Sequence, residues 1–332
     1  MGSGKCVLFI GLNYHHYTSA ILDEIKLAGF ELTFVDIQPR TIAFKVFKTI
    51  AAKQYQTFLD RHHRAAIENA SSRRYDQVVF LQAHQISLEN LVRLRQTQPQ
   101  AVFTLYNWDS LSNHDYLARA PYFHRVLTFD FDDAERHGFG YLPLFCVRPI
   151  QALRHDRARP LTVSVVGNIV SLKRYEAVQA FAGYCRSHGI RFDRYLVVSP
   201  VVWWKLRVAG IRPKGLHFRT MPPKLFARMT EDSQAVFDFA NHQQSGYTMR
   251  TIENLCAGKK IITNNKRVVT DWFYSPDRFH CFEGFDFQGI KAFLEAPIAE
   301  PDRRFEAFHV QAFARNLLGL GSGTGPGGTQ HV

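Results

Sequence analysis

The sequence predicts an α/β protein made of two open parallel sheets in tandem. Three observations predict it. Short apolar runs alternate with helix-period stretches over the first 150 residues, a polar and basic break bounded by Pro149 and Pro160 interrupts them, and the alternation then restarts. Continuous apolar runs, unlike alternating ones, mark strands that crossover helices cover on both faces.

Taken in order, Cys6–Leu12 reads as a strand, Ser19–Ala28 as a helix closed by Gly29, and Glu31–Ile37 as a strand closed by Pro39. Strands follow at Gln77–Leu81, Ala101–Tyr106 and Arg125–Asp130, with helices at Ser87–Gln96 and Asp132–His137. Beyond the break come strand Leu161–Val166, a helix from Lys173 to His188, and strands Tyr195–Val198, Leu216–Phe218 and Ala235–Phe239. Helix Met249–Ala257 and strand Lys260–Thr263 complete the second sheet. The segment Arg303–Leu318 has helical period and closes the structure, and the terminal GLGSGTGPGGTQHV is Gly-rich and expected to be disordered. The expected organisation is therefore a domain at 1–150, a second at 151–302, a closing helix at 303–318 and a tail at 319–332. Two such sheets leave a cleft between them, and ligands of open sheets sit at the carboxyl ends of the strands.

With 332 residues and 46% hydrophobic content the chain can fill two cores. Its 41 Lys and Arg against 29 Asp and Glu leave a charge of +12, which selects anionic partners without naming them. Cys6, Cys146, Cys185, Cys256 and Cys281 are scattered and never spaced as CxxC, so neither a disulfide framework nor a zinc knuckle is expected. No apolar run is long enough to span a bilayer, and the N-terminus lacks the order of a signal peptide. A cytoplasmic location is expected, with any membrane attachment peripheral.

The stretch AVFDFANHQQSGYTMRTIENLCAGKKIITN, residues 235–264, carries the strongest chemical signal. A strand runs into a polar loop with Gly246, Thr248 and Thr251 open a helix bearing Glu253, and Gly258 ends it. Free amides and partial positive charge at a helix start suit a diphosphate. An ionised Glu253, with two acceptor oxygens, suits the two hydroxyls of a ribose. The same pattern also describes an ordinary capped helix with a solvated glutamate.

This segment resembles the donor-site signature of GT-B-fold glycosyltransferases, in which "EAL-A-G-K-PVI-T" follows a Gly-containing loop. LHFRTMPPKLFARMTEDSQAVFDFA is similar to the elements that precede that signature. VLFIGLNYHHYTSAILDEIKLAGFELTFVDIQP, TLYNWDS and VLTFDFDDAERHGFGYLPLF resemble bacterial lipopolysaccharide and capsule glycosyltransferases of the same fold. The resemblance covers residues 5–265 in patches and implies two Rossmann-like domains. It implies donor diphosphate at Gly246, Tyr247 and Thr248, with Thr251 beside them, and ribose at Glu253. It also implies a basic phosphate ligand after the first strand of the second domain, where GNIVSLKR offers Lys173 and Arg174. Retaining members carry a glutamate eight positions before the ribose-binding one; here that position is Ser245, so inversion is preferred.

Inversion needs a base in the first domain to take the acceptor hydroxyl's proton. His15 and His16 after the first strand, and Asp109 beside Trp108, are the candidates. Each also has a plain reading, as surface histidines and as a helix cap. Asp130-Phe131-Asp132-Asp133 contains a DxD, but DDAE reads better as a capping box with Asp132 at the N-cap. GSGK at residues 2–5 precedes its strand and is no phosphate loop. Two basic, aromatic-rich segments, Arg40–Arg64 and VVWWKLRVAGIRPKGLHFR, read either as core-packed with solvated basic faces or as contacts to an anionic bilayer.

The expected function is metal-independent transfer of a sugar from a nucleotide-sugar substrate to a lipid-linked, lipopolysaccharide or capsule glycan, with no cofactor. The expected partners are the donor, the glycan or lipid-linked acceptor and an anionic membrane surface. The alternatives are a basic nucleic-acid-binding protein, for which no RNP, KH, helix-turn-helix or zinc-finger pattern is present, and an inactive nucleotide-sugar-binding relative.

Overall fold

A computed structural model describes residues 5–38, 52–153, 157–240, 244–298 and 300–321, with His15 and residues 52–54 described by their backbone alone. The first part of the basic segment Arg40–Arg64, most of GSGK and the Gly-rich run beyond Gly321 lie outside the described residues. The chain divides into two compact units, Met1–Leu144 with Gln243–Gly246 and Val310–Val332, and Phe145–His242 with Tyr247–His309.

The first unit is a six-stranded parallel sheet in the order β2-β1-β3-β4-β5-β6. The strands are β1 (Cys6–Gly11), β2 (Glu31–Asp36), β3 (Gln77–Leu81), β4 (Val102–Asn107), β5 (Arg125–Thr128) and β6 (Gly140–Tyr141). The central β1 and β3 are buried almost throughout, the condition that their unbroken apolar runs imply. Helices α1 (His15–Leu27), α2 (Ala52–Ala70), α3 (Leu88–Thr97) and α4 (Phe131–His137) join them. In α2, Leu59, His63, Ile67 and Ala70 turn one stripe inward, so this part of the basic segment packs as core with its charges outside. The helix at 131–137 is capped by Asp130, whose carboxylate accepts from the Asp133 amide at 3.1 Å; the cap thus lies two residues earlier than Asp132, the position that the capping-box spacing predicts.

The second unit is a six-stranded parallel sheet in the order β12-β11-β10-β7-β8-β9. Its strands are β7 (Arg159–Ile169), β8 (Arg191–Val198), β9 (Leu216–His217), β10 (Ser233–Asp238), β11 (Lys260–Thr263) and β12 (Phe279–Cys281). Its helices are α5 (Arg148–Gln151), α6 (Leu172–Ser187), α7 (Pro200–Val208), α8 (Pro223–Asp232), α9 (Met249–Cys256) and α10 (Ile290–Glu295). Tyr175, Val178, Phe181, Ala182 and Cys185 form the inner face of α6; Phe181 stacks on Phe237 with centroids 4.3 Å apart. Chain order reverses between β10 and β7, which makes the carboxyl end of that pair the topological switch point.

Two further features depart from the sequence reading. Cys146 pairs with His309 in an isolated parallel bridge and its amide donates to Phe308 O at 2.7 Å, so the chain enters the second unit before residue 150. The closing segment is not one helix: a 3₁₀ turn at Arg303–Phe308 stops at His309, and α11 (Val310–Leu317) packs in the first unit, with Phe313 edge-on to Tyr106 at 4.9 Å.

Candidate functional site

At the switch point, Asp238 ends β10 fully buried and collects three donors. Arg250 Nη1 donates at 2.7 Å, Thr251 Oγ1 at 2.8 Å and Thr248 Oγ1 at 3.2 Å. Thr248 is also the N-cap of α9, accepting from the Thr251 amide at 3.1 Å. The hydroxyls of Thr248 and Thr251 therefore hold the loop to the sheet, and their protons are committed to Asp238.

Arg250 continues to β7, where its Nε donates to Val166 O at 2.6 Å. It passes over Gly167, at which a Cβ would lie 2.4 Å from Arg250 Nη2 and 3.6 Å from Arg174 Nη2. Arg174 reaches the same spot from the first turn of α6, whose N-cap Ser171 accepts from the Arg174 amide at 3.3 Å. Its guanidinium makes no hydrogen bond to another described residue. Burial first, then the neighbouring Arg250, draw its pKa down to about 10 against the opposing pull of Asp238. Two guanidiniums thus lie near one carboxylate, which Arg250 alone of the two contacts, leaving an excess positive charge on two half-buried side chains. The amides of Met249 and Arg250 begin α9 beside it and have no hydrogen-bond partner among the described residues. Excess positive charge beside free amides at a helix start is chemically suited to a multiply charged anion.

Glu253 lies one turn into α9 and is buried. It is near enough to the Cys146 thiol to help raise that group's pKa, behind the larger effects of the Cys256 thiol and burial. Lys173, next to Arg174, is solvent-exposed. Lys259 and Lys260 of the AGKK run are buried and donate to main-chain oxygens, Lys259 to Glu231 O at 2.8 Å and Lys260 to Ala296 O at 2.6 Å.

The loop before α9 differs from its expected role. Ser245 N and Oγ each donate to Asp130 at 2.8 Å, and Gly246 N donates to the same carboxylate at 3.4 Å. A side-chain anion thus occupies the Gly246 amide that the motif resemblance assigns to donor phosphate. Gly246 is required by proximity, since a Cβ there would lie 2.4 Å from Phe129 O. Tyr247 is buried; its hydroxyl donates to Asp271 at 2.5 Å and its ring meets Phe273 edge-on, so the side chain is structural.

The first unit gathers a separate polar group at the carboxyl edge of its sheet. Asp109 follows β4 and accepts from Gln82 Nε2 at 2.6 Å and, more weakly, from Gln244 Nε2 at 3.5 Å, with His114 Nε2 3.9 Å away. Burial raises its pKa, while His114 and the amide donors oppose. Trp108 meets Tyr14 edge-on at 5.5 Å, and His84 stacks flat on His114 at 3.9 Å. Gln82, the donor to Asp109, is held at φ +65°, a left-handed conformation uncommon for a residue with a side chain. His15 and His16 lie in the first helical turn of α1, not in the loop before it; His16 packs on Tyr17, and the His15 side chain lies outside the described ones. Asp109 is thus set among aligned polar partners.

Sequence reasoning missed Asp238, Arg250, Gly167, Gln82, His84 and His114. One signal was readable: an arginine two positions past an N-cap threonine opposes the helix dipole, so it needs an anion nearby.

No family model and no curated protein matches the sequence. Solved structures match over nearly the whole chain. The apo lipopolysaccharide outer core galactosyltransferase WaaB aligns at TM-score 0.54 and 13% identity, over 94% of this chain and 99% of its own. AviGT4, a glycosyltransferase involved in avilamycin A biosynthesis, aligns at TM-score 0.57 and 11% identity, over 95% and 96%. The catalytic domain of starch synthase IV from Arabidopsis thaliana, bound to ADP and acarbose, aligns at TM-score 0.54 and 10% identity, over 95% of each chain. The fold is GT-B. In GT-B terms the Arg174, Arg250 and Glu253 group belongs to the second Rossmann-like unit, and the Asp109 group to the first.

Proposed function

We propose that this protein transfers a sugar from a nucleotide-sugar donor to a lipid-linked, lipopolysaccharide or capsule glycan at the cytoplasmic face of a membrane, with inversion. The observation that carries the reading is the pairing of Arg174 and Arg250 over Gly167 beside the start of α9, at the switch point of the second sheet. The two guanidiniums, the Met249 and Arg250 amides and the helix dipole neutralise the donor diphosphate, so the scheme uses no metal and no cofactor. Glu253 receives the ribose hydroxyls. Asp109 takes the acceptor hydroxyl's proton as its oxygen bonds to the anomeric carbon, and the diphosphate leaves with the electron pair of the broken bond. A carboxylate raised by burial is the better matched base near neutral pH. The lipid-type acceptor draws on the motif resemblance and on the likeness to WaaB, a lipopolysaccharide outer core galactosyltransferase.

A thermal-shift screen of nucleoside diphosphates and nucleotide sugars tests the class, because a ligand of the folded state alone raises its stability by mass action. The expected result is a shift with one nucleoside diphosphate, absent in Arg174→Gln and reduced in Glu253→Gln. A flat response to every nucleotide overturns the reading.

A further inference from the structure

The outer face of α7 and the loop beyond it is apolar where a surface helix should be polar. Leu206 is buried, and Val202 and Trp203 pack against the core of the second unit. On the opposite side Val201, Trp204 and Val208, spaced as one helical stripe, are 64%, 65% and 72% exposed. Phe218, just past the edge strand β9, is 59% exposed. The charge around this stripe has one sign. Between Asp193 and Glu231 the chain holds no Asp or Glu, while Lys205, Arg207, Arg212, Lys214 and Arg219 are all exposed and form no ion pair among the described residues.

We infer that this face of α7 docks the protein on an anionic lipid bilayer, with Trp204, Val201 and Val208 entering the headgroup boundary and the flanking cations meeting lipid phosphates. The chemistry favours lipid over other partners. Valines offer no surface for base stacking, whereas Trp and aliphatics ringed by Lys and Arg are the composition of interfacial helices. The surface deepens the lipid-linked acceptor reading and rests on it for its purpose, but its lipid binding can be measured without any donor or transfer.

Co-sedimentation of the full chain with vesicles of phosphatidylcholine and phosphatidylglycerol, against phosphatidylcholine alone, tests it. The expected result is binding to the anionic vesicles only, weakening as salt rises. Trp204→Ala lowers the partition by roughly tenfold, and Lys205→Gln with Arg207→Gln by roughly thirtyfold, while the ligand-free melting transition stays in place. Equal binding to both vesicle types, or variants that bind like the wild type, overturns the inference. So does an affinity for single-stranded oligonucleotides that the same substitutions remove when vesicles are not bound. Vesicle binding in a protein that answers to no nucleotide supports this surface while removing the transferase reading.

Discussion

Arg250 donates to Asp238 at 2.7 Å and, through its Nε, to Val166 O at 2.6 Å, so one planar side chain ties β10, β7 and the start of α9 together. Only a fork reaches both acceptors. Arg250→Lys keeps the charge and loses one of the two contacts. The expected outcome is a melting temperature lower by several degrees, matching roughly 1–2 kcal/mol for a lost charge-assisted hydrogen bond, and weaker nucleotide binding by calorimetry. A lysine variant that binds and melts like the wild type would remove the fork from the site.

Gly167 separates the site from the scaffold. Its missing Cβ is the space through which Arg250 Nη2 passes, and the obstacle a methyl group meets is the far end of a flexible side chain. Gly167→Ala is therefore expected to fold, at a cost of no more than the roughly 1–2 kcal/mol of one lost Arg250 contact, while displacing the guanidinium and lowering nucleotide affinity roughly tenfold. Melting and titration on the same preparation would show whether the two effects part.

Gly246 is the opposite case. Its Cβ would strike the backbone oxygen of Phe129, which cannot swing aside. Gly246→Ala is expected to cost on the order of 1–3 kcal/mol, and to loosen Ser245 from Asp130. Urea denaturation measures this directly; an unchanged midpoint with an unchanged slope would mean the loop has room that the close approach denies.

Arg174 links charge to stability. Its pKa falls from an ordinary arginine value to about 10 on folding, through burial and Arg250, so holding the proton there opposes folding. Between pH 10 and the arginine range the unfolded chain binds more protons, and this residue's contribution to stability rises with pH across that window. At neutral pH Arg174→Gln is expected to raise the melting temperature of the free protein by roughly 2–4 °C and to abolish the shift produced by a nucleoside diphosphate. A variant that lost stability instead would show that Arg174 has a partner other than the ligand.

Much of this was legible in the residues. Both sheets follow from unbroken apolar runs, and Gln77–Leu81 and Lys260–Thr263 begin and end where those runs do. Thr248 as N-cap and Glu253 inside the helix followed from local spacing. What pattern could not supply was contact over distance. Asp130 and Ser245 are 115 positions apart, and their bond redirects the Gly246 amide away from its expected ligand. Asp238 reads as one polar residue in an apolar strand, and only the fold places two threonines and an arginine on it. The cysteine and histidine of the Cys146–His309 bridge are likewise far apart along the chain, which is why the first unit ends earlier than its composition suggests.

Burial raises the Asp109 carboxyl's pKa in the folded protein, so between the unfolded and folded values the folded state holds more protons. Asp109's contribution to stability therefore rises as pH falls through that window, and at neutral pH its buried charge opposes folding. Asp109→Asn keeps the shape, removes the charge and is expected to melt no lower than the wild type. As a base the carboxylate must be ionised. The rate of transfer should fall as pH drops through its raised pKa, giving an acidic limb above the ordinary carboxylate range, and Asp109→Asn should lower turnover by roughly 10²–10⁴-fold with donor binding intact. His114, 3.9 Å from Asp109, lowers that pKa when protonated, so His114→Ala should move the limb further upward. Should the limb stay put in His114→Ala and persist in the residual activity of Asp109→Asn, the proton goes elsewhere in the first unit, and His16 in the opening turn of α1 is the next group to test.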